Sequence, residues 1–113
     1  MASDNQTDIA QSFIALYLAP GRGKPSLPFT ELAQRYELCE DMANMLCSTA
    51  QETLHRLGIT ESDVLQRTHQ GLCAEPAVLS AAEAAWVTTR LAELNGWPLP
   101  ALLPELLPPF NPA

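Results

Sequence analysis

Basic side chains are scarce in this chain, with six Lys and Arg against thirteen Asp and Glu and a formal charge of −7. A surface of that sign repels phosphate backbones and anionic headgroups, so neither nucleic acid nor an acidic membrane is an expected partner. Cysteine is also short: three residues are too few, and odd in number, for a secreted disulfide framework. Cys39 and Cys47 are eight residues apart on one expected helix, about 12 Å along its axis and too far to bridge. All three read as reduced thiols in a cytoplasmic protein. No apolar run approaches the ~18 residues of a membrane span, and Met1 to Asp8 lacks the basic-then-apolar order of a secretory leader. With only two histidines, His55 and His69, there is little material for a metal site.

What remains is apolar and helical in pattern. With 113 residues and 47% hydrophobic content, the chain suits one domain with a modest core. Residues 1–7 are polar and read as a disordered N-terminus. Ile9, Phe13, Leu16 and Tyr17 then recur at helical spacing, with Thr7 or Asp8 as cap. Ile14, Leu16 and Leu18 also alternate, which leaves a strand reading open. Ala19 to Phe29 holds three prolines and two glycines and is an expected loop.

The strongest periodicity lies between Thr30 and Leu57. There Leu32, Tyr36, Cys39, Ala43, Leu46, Ala50, Thr53 and Leu57 alternate spacings of four and three, a heptad seam. Glu31 with Arg35 and Glu52 with Arg56 have the favourable i,i+4 order, and Gly58 is placed for a left-handed C-cap. Capping boxes open two more helices. One starts at Thr60 and Asp63 and is expected to stop at Gly71; the other starts at Ser80 and Glu83 and ends at Asn95 and Gly96. The expected fold is therefore all-α: a small bundle of about four helices over residues 8–96, one of them long (30–57), followed by a proline-rich tail (97–113). A continuous 30–57 helix is about 42 Å long, more than the ~35 Å diameter of a compact domain of this size. Either it breaks, or a second copy of the chain covers its seam.

Few residues offer chemistry. Gly21, Arg22, Gly23 and Lys24 suggest a phosphate loop, but Leu18 stands where the first glycine belongs and Pro25 removes a donor after the lysine. His69 and Cys73 are four apart, yet Gly71 between them is expected to end the helix they need. Glu37, Glu40 and Asp41 read as a solvated acidic face. Cys39 lies on the apolar seam and reads as buried and inert; Phe13, Tyr36 and Trp86 read as core. The tail carries six of the ten prolines, yet Leu99, Leu102, Leu103, Leu106, Leu107 and Phe110 recur at helical spacing. Its two Leu-x-x-Leu-Leu repeats suit a hydrophobic groove, in this chain or in another.

Several stretches carry a resemblance: Ser12 to Tyr17 with Pro20 to Arg22, Arg35 to Asp41, Leu57 to Glu61 with Asp63 to Leu65, and Arg90 to Leu94 with Trp97. They are similar to small proteobacterial proteins that carry the label "ATPase with chaperone activity". The resemblance spans most of residues 12–97 and implies a bacterial cytoplasmic protein; its label implies an accessory role beside an ATP-dependent chaperone or protease. The chain itself has no Walker loop. The expectation is a non-enzymatic helical interaction module, without catalytic, cofactor or metal residues. Its partner is itself, as a homodimer, or a larger protein. The contact residues are Leu32, Tyr36, Leu46 and Leu57 on the seam and Leu99, Leu102, Leu103, Leu106, Leu107 and Phe110 in the tail.

Overall fold

The computed structural model describes residues 9–18 and 25–98, and among them the apolar periodicity becomes helices and no strand. The order is α1 (Gln11–Ile14) with a 3-10 turn (Ala15–Tyr17), α2 (Phe29–Leu57), α3 (Glu61–Cys73) and α4 (Ala81–Asn95). The strand reading of the first segment survives only as an isolated bridge from Leu18 to Pro25. The first helix is shorter than its pattern suggests, because Ala10 at its N-cap offers no side-chain acceptor to hold the first turn. Thr7 and Asp8, the expected caps, lie outside the described residues, as do the Gly21 to Lys24 turn and the tail from Leu99.

Local chemistry sets the helix ends. Glu31 in the first turn of α2 and His55 and Arg56 in its last turn complement the helix dipole. Gly58 (φ 63°) and Gly96 (φ 70°) cap α2 and α4 in the left-handed region that other residues avoid. Thr60 Oγ1 accepts from the Asp63 amide at 3.1 Å and opens α3. At α4 the capping box is complete: Ser80 Oγ accepts from the Glu83 amide, and Glu83 Oε1 accepts from the Ser80 amide at 3.0 Å. Ser80→Ala removes one half of it and is expected to cost about 1 kcal/mol in urea unfolding.

Two helix expectations are corrected. Gly71 does not end α3, which runs to Cys73; a glycine inside a helix costs only about 1 kcal/mol relative to alanine, and Leu72 beyond it packs on the core. Arg35 does not pair with Glu31, nor Arg56 with Glu52, among the described ion pairs. Arg35 is drawn instead to a buried carboxylate on α4.

Cross-links between α2 and α4 give their relative direction. Arg35 meets Glu83, Glu40 meets Arg90 and Gln51 meets Asn95, so the numbering advances together and the two helices are parallel. The α3 helix returns the chain between them. Six consecutive residues of α4, Glu83 to Thr88, are buried, followed by Leu91 and Ala92. Six residues exceed one full turn, so α4 is enclosed on every side between Glu83 and Thr88, and this stretch is the centre of the bundle.

The long helix does not break. It is continuous over 29 residues, about 43 Å, and matches the longest dimension of the molecule, 44 Å. From Leu32 to Ala50 its seam is covered within the chain by two clusters. Leu32, Cys39 and Ala43 pack with Ile9, Phe13, Leu79, Trp86 and Val87. Ala50 packs with Val64, Leu65, Leu91 and Ala92, and Leu46 touches both groups. Trp97, assigned to the tail by its position after Gly96, packs on the second cluster and donates its amide to the Ala92 carbonyl at 2.8 Å. The helical unit therefore extends past 96.

Candidate functional site

One charged constellation stands out, and it is built from three distant parts of the chain. Glu83 is 1% exposed at the start of α4. Arg35 from α2 donates Nη2–H to Oε1 at 2.6 Å and Nε–H to Oε2 at 2.9 Å. The Tyr17 hydroxyl, at the end of the 3-10 turn, donates to Oε2, and the Ser80 amide completes Oε1. Arg35 Nη2 also donates to the Val78 carbonyl at 3.1 Å. Burial alone pulls the Glu83 carboxyl upward, but the donors from Arg35, Tyr17 and Ser80 outweigh it and hold the group below its ordinary value. Burial first, and the Glu83 carboxylate second, push the Tyr17 phenol well above its usual range, so it stays a neutral donor.

A carboxylate offers about four acceptor positions, and four donors fill them here. No lone pair is left to take a proton from a substrate or to bind a cation. The constellation fastens α1, α2 and α4 to one another. Beneath it, Phe13 stacks edge-on against Tyr36 (5.4 Å) and Trp86 (5.2 Å), with Tyr17 at 5.6 Å. The Trp86 indole N–H donates to Ser12 Oγ at 2.9 Å. These aromatics are core, as their spacing suggests.

The other chemistry-bearing residues fall into place around this. Glu40 accepts from Arg90 at 2.9 to 3.2 Å, while Glu37 and Asp41 are exposed. Cys39 is fully buried, and burial, aided by the Glu83 charge, pushes its thiol up to about 12. Burial likewise raises the Cys47 thiol. A shallow depression on the outer side of α2 is lined by Ser48, Gln51, Glu52, His55 and Arg56, residues of one helix that cannot enclose a ligand. Among the described residues no three His, Cys, Asp or Glu side chains converge as a metal site, and no helix is long and apolar enough to cross a membrane.

The residues expected to make contacts divide by position. Leu32 is in the core, and Tyr36 and Leu46 are half-buried in this chain's own packing. Leu57 is 45% exposed. Leu99, Leu102, Leu103, Leu106, Leu107 and Phe110 lie outside the described residues. Leu94, near the end of α4, is 36% exposed. Leu57 ends α2 and Leu94 is in the last turn of the parallel α4, so both sit at the end of the bundle where Trp97 and Pro98 lead into the tail. The one constellation that pattern reading missed is Tyr17, Arg35 and Glu83; its only trace was Glu83 itself, in the first turn of α4, where its spacing from Ser80 reads as a capping box. No protein family, characterised protein or solved structure matches the chain.

Proposed function

We propose that the chain is a non-enzymatic helical interaction module of the cytoplasm, and that it assembles with a copy of itself through the end of the bundle that bears Leu57, Leu94 and the leucine-rich tail. The carrying observation is that the exposed leucines of α2 and α4 fall at the end from which the tail leaves. Beyond this end the sequence continues with Leu99, Leu102, Leu103, Leu106, Leu107 and Phe110, a run of apolar residues of the kind that seeks a hydrophobic groove. The upper seam from Leu32 to Leu46 serves the chain's own core, which moves the expected contact from the middle of α2 to its C-terminal end. The three cysteines are free thiols, in keeping with a reducing compartment.

Light scattering at several concentrations tests this on the full chain, on a chain ending at Pro98 and on Leu57→Glu. A full-length dimer that becomes a monomer in both variants, with unchanged far-ultraviolet circular dichroism, is the expected result. A full chain that is monomeric at every concentration, or a dimer indifferent to both changes, overturns the reading.

A further inference from the structure

The end of the bundle that bears Leu57 and Leu94 is thinly covered. Both leucines are exposed, and Leu54, Ile59 and Trp97, which pack on the second core cluster, are only half-buried. A polar group in the same turn as Leu94 is unsatisfied as well. Asn95 Oδ1 accepts from the Gln51 amide at 2.8 Å, while Asn95 Nδ2 is buried and has no acceptor among the described residues. A buried donor without an acceptor costs about 1–3 kcal/mol, so this end favours an occupant that brings carbonyl oxygens together with apolar side chains. A leucine- and proline-rich segment brings both, because each proline contributes a carbonyl and no amide N–H to compete for it.

Such a segment begins at this end. Fifteen residues follow Pro98, with leucines grouped as Leu99, Leu102 and Leu103 and again as Leu103, Leu106 and Leu107. Which copy they cover follows from the prolines at 98 and 100. Each fixes its own φ at about −65° and keeps the residue before it, Trp97 or Leu99, out of the helical region. Backbone restricted in this way advances about 3.1 Å per residue, so the sequence favours a path leading about 9 Å outward between Trp97 and Pro100. That path takes Leu99 away from the Leu94 of its own chain. A second copy, related by a two-fold axis through this end, presents its Leu57 and Leu94 to the outgoing segment and receives the same in return.

We infer that residues 99–107 of each copy dock on the Leu57 and Leu94 end of the other, a reciprocal exchange of tails. The inference rests on the self-assembly reading above and adds to it the surface that each tail occupies. Every chain is then both a Leu-x-x-Leu-Leu ligand and a receptor for one.

Disulfide trapping in the full chain tests this, in a Cys47→Ser, Cys73→Ser background that keeps only the buried Cys39. Leu57→Cys and Leu103→Cys are made in two differently tagged copies, and both changes are made together in a third chain. Leu57 is exposed and residue 103 lies beyond the described helices, so neither change removes described core packing; circular dichroism of each variant verifies the fold. After mild oxidation the mixed copies should give a covalent heterodimer, in excess over either copy alone, and the doubly substituted chain a dimer-sized product. A monomer-sized, internally closed product from the doubly substituted chain overturns the inference, since each tail then covers its own end. A dimer by light scattering that yields no link between the two positions also overturns it, while leaving self-assembly standing. A full chain that is monomeric at every concentration removes self-assembly and this inference together.

Discussion

Glu83→Ala is expected to destabilise the protein by about 3–5 kcal/mol, the usual cost of leaving one partner of a buried ion pair uncompensated. The Tyr17 hydroxyl and the Ser80 amide lose their acceptor at once, and Arg35 keeps only the Val78 carbonyl. Since domains of this kind are stable by only about 5–15 kcal/mol, the variant should lose a large share of its margin. Urea unfolding at pH 7 measures it, and a loss below about 1 kcal/mol would show that Glu83 is not the fastening described above. Combining Glu83→Ala with Arg35→Met should cost less than the sum of the single changes, with a coupling of roughly 1–3 kcal/mol. The same residue shapes the acid limb. Its carboxyl lies below the ordinary 4.5 in the folded state, so its contribution is complete above that value and is lost as pH falls through the lowered folded value. The wild-type chain should therefore lose stability steeply below about pH 4.5, and Glu83→Ala should flatten that part of the curve.

Phe13→Ala should be comparable in size, about 3–5 kcal/mol for removing a fully buried aromatic. Phe13 has no exposed surface and is the ring that Tyr17, Tyr36 and Trp86 all touch. Its loss removes the anchor of α1, and Trp86 then faces water where Ser12 and Phe13 covered it. A red-shifted tryptophan emission with most of the helical circular dichroism retained would locate the damage at α1. An emission spectrum unchanged at equal stability would mean that α1 contributes little to the fold.

The fold class was legible because capping chemistry and periodicity are local: Gly58, Gly96, Thr60 and Ser80 act within a turn of where they stand. What periodicity misread was rank. The clearest stripe belongs to α2, and a clear stripe is the mark of a helix with one wet side. The central helix, α4, is buried from Glu83 to Thr88 and so shows little alternation. Glu83 illustrates the same limit. Its capping role could be read from its distance to Ser80, but nothing local reveals that Arg35 and Tyr17 converge on it from 48 and 66 residues away. Likewise Gly71 carries a helix-stop signal that tertiary packing overrides, which is why the hydrogen bond between the His69 and Cys73 side chains was hidden until the helix was seen to continue.

The docking of α1 also orders events in time. Its partners on α4 are 66 and 74 residues downstream, at Glu83 for Tyr17 and at Trp86 for Ser12. On a ribosome adding roughly 5–20 residues per second, that separation corresponds to roughly 4–15 s during which Phe13 has been made and its site has not. The α1 segment is thus made well before the helix that shelters it. For that interval the nascent chain presents Ile9, Phe13 and Tyr17 to whatever binds short aromatic peptides at the tunnel exit.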